Sequence, residues 1–561
     1  MAELPVTMSN LKPVITAQIN GEDARFVADS GAFFSMMTQA GAAQYKLKLN
    51  VAPFGLFVNG IGGSIEPSIA TVKVFTLVGV PFHNIEFLVG GSLGGRSESV
   101  GVLGQSFFRI GDVEYDLARG AIRLWHAENC AHSLVAYWVK PSEPYAVMDI
   151  ERATLQSPHT TGTAFINGVR IRVIFDSGSG TSILSMRAAE RAGVKADSAG
   201  VMEAGYVSGF GRESIKTYVG PFSSFKIGDE EIRNTRLRFG DIVTEDTDML
   251  IGADFFLSHR IYVASSQHKL FFTYNGGPVF NLTASRPPLD AAAEQPGNGD
   301  ELADAAAYSR RGMAFAARRD YEHAIADLTR ACDLAPNDAD YFYLRGIVYR
   351  DDQQFDLAET DLNRALELKP DDLSALQVRA QLRLRVHDMA GAAGDLEAAD
   401  RAAPKEADIR LFLARAYQSA DLLPASIAQY DLWISAHATD ARLPEALKNR
   451  CWMRALLGQD LDKALADCSA ALKLNGKSGP YRAQILNGLG LTRLRLGDNG
   501  KSIAEYDDSL QLYPQDPWVL YGRGVAKIRN DKSAEGEADL AAATALWPAI
   551  ADEFKRHGIA P

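Results

Sequence analysis

Cysteine is scarce in this sequence: four residues in 561, at Cys130, Cys332, Cys451 and Cys468. That is too few for a fold stapled by disulfides, and no C-x-x-C pair or histidine cluster offers a metal-ligand spacing, so neither a metal nor another cofactor is expected. The four read as small buried apolar residues or a stray thiol, with Cys451 and Cys468 on facing helices of one repeat, where two buried thiols are expected rather than a disulfide. No apolar run approaches the roughly 18 residues of a membrane-spanning helix, so no integral membrane segment is expected. Basic side chains are outnumbered, 58 against 70, for a net charge of −12. Electrostatics therefore give no reason to expect a nucleic-acid partner. The phosphate-binding pattern G-x-x-x-x-G-K-[ST], the zinc pattern H-E-x-x-H and the nucleophile elbow G-x-S-x-G are also missing. The first residues, Met1-Ala2-Glu3-Leu4-Pro5, lack the basic and apolar regions of a signal peptide.

The sequence does contain repetition, of two kinds. The join at Asn275 to Asp304 holds GGP, RPP and QPGNGD and reads as a linker between them. In front of it, Gly, Val, Ile, Phe, Ser and Thr fall in short alternating runs. Ile15–Met37 resembles Thr163–Ser185: Ile19-Asn20-Gly21 matches Ile166-Asn167-Gly168, Arg25 matches Arg172, and Asp29-Ser30-Gly31 matches Asp176-Ser177-Gly178, all offset by 147. Gly60-Ile61-Gly62 matches Gly209-Phe210-Gly211. Val102-Leu103-Gly104 with Phe107-Phe108 matches Leu250-Ile251-Gly252 with Phe255-Phe256. Matched landmarks at near-constant offset describe a duplicated unit of about 125 residues. Strands are expected at Phe26–Asp29, Ala70–Phe75, Arg172–Phe175 and Lys269–Tyr274. Asn20-Gly21 and Asn167-Gly168 signal tight hairpins, and short helices are expected at Met37–Tyr45 and Met186–Gly193.

Behind the linker, Pro336, Pro370 and Pro404 recur every 34 residues, as do Gly312, Gly346, Ala380 and Ala414, and Ala331, Ala365 and Ala399. Small residues at fixed positions let paired helices touch closely. About seven units fit, two of them stretched to 38 residues around Ala438–Lys477 and Ser478–Gln515. The pattern resembles the tetratricopeptide repeat (TPR), in which helix pairs stack into a superhelix with a concave groove. That resemblance implies a protein partner in the groove. Ser309, Met313, Tyr343 and Ile347 do not form the Lys/Asn/Arg pattern that clamps a terminal carboxylate.

An acid that follows a buried strand and precedes Ser-Gly sits at a tight turn. Once, the triplet would signify little; here it occurs twice, in matching places, each with a hydrophobic-hydrophobic-Gly downstream. The duplicated unit resembles the aspartic proteases, nearer the retropepsin-like type in lobe length and pepsin-like in joining two lobes in one chain. The fold implied is multidomain: an all-β bilobal aspartic protease followed by an all-α TPR superhelix. The boundaries expected are lobe 1 at 1–130, an inter-lobe linker at 131–160, lobe 2 at 161–280, a linker at 281–304, TPRs at 305–550 and a tail at 551–561.

By that resemblance Asp29 and Asp176 are catalytic and share one proton, because two carboxylates a few ångströms apart cannot both ionise easily. Ser30, Gly31, Ser177 and Gly178 support the dyad. Gly104 and Gly252 underlie its loops. Gly60, Ile61, Gly62, Gly209, Phe210 and Gly211 form flap candidates within Phe57–Ser64 and Tyr206–Glu213. The activity implied is that of an aspartic endopeptidase on a peptide or protein substrate. Two other readings stay open: a non-catalytic peptide-binding shell with an adaptor, and a protease that pairs its lobes between chains. A retropepsin-like protein fused to TPRs resembles bacterial envelope proteins, which implies a periplasmic or otherwise exported location; a cytoplasmic one is the alternative.

Overall fold

The structure is a computed structural model. It describes the chain apart from residues 54–55, 62, 92–98, 110, 127–129, 131–132, 141–142, 155–157, 208, 210–214, 243–246, 281–301, 303, 406, 439, 441 and 477–480. The chain divides into two compact units, Met1–Leu382 and Arg383–Pro561.

The first unit opens with the two β lobes. In lobe 1, Lys12–Ile19 folds back on Glu22–Ala28 through Asn20 and Gly21, both at positive φ (54° and 90°). In lobe 2, Thr161–Ile166 folds back on Val169–Phe175 through Asn167 and Gly168 (47° and 79°). A two-residue turn that follows the strand twist needs left-handed backbone at both positions, which Asn and Gly supply most cheaply. Each lobe also has a long hairpin, Ser68–Leu77 with Val80–Val89 and Ile215–Ile227 with Glu230–Gly240. The short helices expected after the two D-S-G turns are present at Gln39–Gln44 and Met186–Arg191.

The strand that carries each hydrophobic-hydrophobic-Gly is inserted parallel to the strand that ends in the acid. Gly101–Leu103 lies beside Glu22–Ala28, with Leu103 opposite Ala28. Met249–Ile251 lies beside Val169–Phe175, with Ile251 opposite Phe175. The Asp29 amide then donates to the Leu103 carbonyl at 2.9 Å and the Asp176 amide to Ile251 at 2.8 Å. A pairing between segments distant in sequence thus fixes where each D-S-G turn begins.

A six-stranded sheet joins the lobes, in the order Ala2–Pro5, Ala121–Trp125, Asp112–Asp116, His259–Ala264, Lys269–Tyr274, Ala146–Asp149. Ala146–Asp149 lies inside the stretch read as an inter-lobe linker. It is a strand of this sheet, paired with Lys269–Tyr274, as Ala2–Pro5 is with Ala121–Trp125. At the centre, Glu114 is fully buried and receives Arg123 and Arg260 at 2.6 Å each, Tyr137 at 2.9 Å and the Trp125 indole at 3.2 Å. A buried carboxylate so surrounded is satisfied, and removing one cationic partner would cost about 3–5 kcal/mol. Because Arg260 comes from the second lobe, this group ties the lobes together.

The first repeats belong to the same unit. Ala314, on the helix Ala305–Ala317, joins the β core and is 1% exposed. Arg318 donates to the Gly276 carbonyl at 2.8 Å, and a Cβ on Gly120 would lie 2.5 Å from Arg310 Cβ. The start of the repeats is therefore packed on the β lobes.

Fourteen helices from Ala305 to Leu546 alternate as pairs, among the described residues. Gly312 and Gly346 sit where an added Cβ would press on Leu328 and Leu362 of the paired helix, at 3.0 and 3.2 Å. An arginine of the first helix meets an aspartate of the second sixteen residues later: Arg311–Asp327, Arg345–Asp361 and Arg523–Asp539. In the second unit the stretch read as a tail begins inside a further helix, Ile550–Arg556, which buries Ile550 and Phe554. Cys451 and Cys468 do lie on facing helices, Leu443–Leu457 and Leu461–Asn475, but they are joined in a disulfide rather than packed as two thiols. Their Cα atoms stand 5.6 Å apart, within bonding geometry, and both side chains are fully buried against Gly488 of the next helix.

Candidate active site

The two D-S-G turns meet face to face. A Cβ built on Gly31 would fall 2.3 Å from the Asp176 carboxyl carbon, and one on Gly178 would fall 2.2 Å from that of Asp29. Each glycine therefore makes room for the acid of the other lobe. The serines between them bond reciprocally. Ser30 Oγ accepts from the Ser177 amide at 2.9 Å and donates to the Phe175 carbonyl at 2.8 Å. Ser177 Oγ accepts from the Ser30 amide at 3.1 Å and donates to the Ala28 carbonyl at 2.7 Å. Both serines are buried, so all four groups depend on these bonds.

Each acid is also held by its own turn. Asp29 Oδ1 accepts from Gly31 and Ala32 amides at 3.0 and 2.8 Å, and Asp176 Oδ1 from Gly178 and Ser179 at 3.0 and 3.1 Å. Burial pushes Asp29 well above the usual carboxylate range, with repulsion from Asp176 adding to it. Burial also raises Asp176, against the pull of its amide donors. The pair accordingly retains a proton through pH values at which an isolated carboxylate has lost it.

A family model described as aspartyl protease matches residues 15–107 and again 163–255. A tetratricopeptide repeat model matches 309–372 and 454–517. The chain carries two aspartyl protease domains followed by tetratricopeptide repeats. Photosystem I assembly protein Ycf3 of Acaryochloris marina (strain MBIC 11017) is 31% identical over 131 residues, 23% of this chain and 78% of that protein. PilF of Pseudomonas aeruginosa is similar at 15% identity, over 38% of this chain and 94% of that one, with a TM-score of 0.31. A chain of the APC/C hetero-tetramer Cut9–Hcn1 is similar at 16% identity and a TM-score of 0.31, over 45% of this chain. The match spans about half of that chain, 48%.

In the protease domains, Gly104 and Gly252 stand beneath the dyad loops. A Cβ on Gly104 would lie 2.6 Å from the Ala32 carbonyl oxygen, and one on Gly252 would lie 2.5 Å from the Thr181 carbonyl carbon. No larger residue fits. The first flap candidate is a hairpin, Val58–Gly60 paired with Gly63–Ile65, and Ile61 at its tip packs with Ile183, Ile242 and Leu250 of the second lobe. Gly209 approaches the same tip; its Cβ would lie 2.7 Å from the Ile61 carbonyl oxygen. Gly62, Phe210 and Gly211 lie outside the described residues.

Several residues near the dyad were not read from the sequence as site residues. Gln105 Nε2 donates to the Ser30 carbonyl at 2.6 Å. Tyr115 is buried under the dyad, bonded to the Ser30 side chain, and burial raises its phenol. Asp254 accepts from the Ser182 amide and hydroxyl at 2.9 and 2.7 Å, and burial raises its carboxyl to about 6. Lys12 and His159 face the two acids, one each. Among the described residues no group of three or more His, Cys, Asp or Glu could hold a metal ion. None of the described helices is long and apolar enough to cross a membrane.

Proposed function

We propose that the two lobes act as an aspartic endopeptidase, with one dyad supplied by one chain. The observation that carries this reading is the reciprocal fit of Gly31 to Asp176 and of Gly178 to Asp29. Two carboxylates so placed share a proton. The ionised member takes a proton from a water held between them, and the water oxygen bonds to the scissile carbonyl carbon. The protonated member gives its proton to the carbonyl oxygen. The tetrahedral diol then collapses: the C–N bond breaks, a proton passes to the leaving amine, and the dyad returns to one proton. The apolar tip at Ile61 would exclude bulk water from this exchange.

The repeats take a protein partner or present the substrate. An exported location is consistent with the buried Cys451–Cys468 disulfide, since such bonds persist in oxidising compartments. Protein taken from its own compartment should show two free thiols after denaturation, Cys130 and Cys332; four would oppose that location.

The catalytic reading is tested by digesting a diverse peptide mixture from pH 3 to 8 with the wild type and with Asp176→Asn. Cleavage by the wild type and none by the folded variant is the expected result. Peptide binding without cleavage by either would favour the non-catalytic shell.

A further inference from the structure

Each acid has a basic residue seventeen positions before it: Lys12 before Asp29 and His159 before Asp176. The hairpin register explains the spacing. Val14 pairs with Val27 and Thr161 with Ile174. The Phe175 amide still donates to the Thr160 carbonyl at 3.0 Å, and continuing each register past its last paired positions carries Lys12 toward Asp29 and His159 toward Asp176. The pseudo-symmetry extends to the surroundings. The turn before Lys12 packs on the second lobe, where a Cβ on Gly180 would lie 3.3 Å from Leu11 Cβ. His159 packs on the first lobe, its ring 6.3 Å from that of Phe33 and its N–H donating to the Gly31 carbonyl.

We infer that Lys12 and His159 are matched positioning residues: each biases the carboxylate nearest it toward the ionised form, Lys12 as a lysine charged from pH 3 to 8 and His159 only when protonated. The inference rests on Asp29 and Asp176 being the dyad. Burial dominates both acids and holds them toward the protonated form; against it Lys12 draws Asp29, and His159 draws Asp176, toward the ionised form. The charged groups that face His159 are Asp176, which favours the imidazolium, and Arg172, which opposes it. Arg172 is itself held by Glu151 at 2.6 Å. The imidazole also borders a cavity of about 210 Å³ with Glu151, Arg152, Arg109, Tyr115 and His268. Burial lowers the imidazole's own proton affinity, so His159 is neutral at neutral pH and cationic only in acid.

The two residues therefore act at different ends of a pH profile. In acid the dyad is lost when its remaining anion is protonated; both cations oppose that step. At higher pH the dyad is lost when it gives up its last proton. Lys12 favours that loss, and neutral His159 does not take part.

The test is the pH profile of kcat/KM for wild type, Lys12→Gln, His159→Gln and His159→Lys. His159→Gln should move the acid limb up by about one pH unit and leave the alkaline limb in place. Lys12→Gln should move both limbs up, and His159→Lys should move the alkaline limb down. Equal movement of both limbs in His159→Gln, or of neither, would overturn the inference. A second readout needs no activity: the NMR titration of the His159 ring, assigned by its loss in His159→Gln, in wild type and in Asp176→Asn. The ring should lose its proton at lower pH in Asp176→Asn; an unchanged titration would overturn the inference whether or not the protein cleaves peptides. A shifted ring in a protein that cleaves nothing would sink the protease reading and leave the charge pairing standing.

Discussion

The two copies of the β unit are alike where they touch and unlike where they do not. At the contact, Asp-Ser-Gly faces Asp-Ser-Gly, and every bond has its mirror image. One layer below, the copies part. In the first, Ser35 Oγ meets Ser106 Oγ at 2.7 Å, and Gln105 holds the Ser30 carbonyl. In the second, Ser182 meets the carboxylate of Asp254, and Ala253 stands where the first copy has Gln105. Beside the acids, Lys12 answers to His159. A surface that must fit its own counterpart allows little divergence, because a change on one side leaves the other unmatched. Buried polar groups below need only some partner, and a hydroxyl, an amide or a carboxyl can each serve.

The largest expected break in this comparison is at the glycines. Gly31→Ala and Gly178→Ala each place a methyl inside the opposing carboxyl, and either should lower kcat/KM by about 100-fold or more. A large loss in one and none in the other would mean that the two turns do not meet as described. Next come the serines. Ser30→Ala and Ser177→Ala each strand a buried amide, so each should lower unfolding stability by about 1–3 kcal/mol. Denaturant titration of both variants and of the double variant should show similar single effects and strong non-additivity.

The smallest effect sharpens the difference below the contact. The Asp254 carboxyl titrates near 6 in the fold and about 4 when unfolded, so between those values the native state holds more protons. Stability contributed by this group falls as pH rises from 4 to 6 and stays lost above. Asp254→Asn removes that fall, so its stability relative to wild type should improve by about 2 kcal/mol between pH 4 and 7. Ser106→Ala, at the matching place in the first copy, should show no such pH dependence.

Much of this was legible in the sequence. Asn20-Gly21 and Asn167-Gly168 mark their turns because few residues tolerate that backbone. The 34-residue recurrence of small residues marks helix pairs because close contact admits nothing larger. What escaped depends on contacts between distant segments. Ala146–Asp149 is four residues long, and nothing local distinguishes it from a connection; it becomes a strand because the sheet edge at Lys269–Tyr274 accepts it. Lys12 and His159 look like ordinary strand-end residues until each hairpin register is followed past its last pair toward the acid. The Arg–Asp pairs of the repeats sit sixteen residues apart, on the two helices of a pair, where no single-helix spacing reveals them. The repeat spacing sets Cys451 and Cys468 on facing helices, but their bond depends on how far apart those helices stand.

The central claim is that Asp29 and Asp176 of one chain form one dyad, and a mixing experiment tests it most directly. Asp29→Asn and Asp176→Asn proteins are assayed for peptide cleavage alone and after co-refolding in equal amounts. The account predicts no cleavage in any of the three samples beside an active wild type. Cleavage by either variant alone, or its return in the mixture, would contradict it.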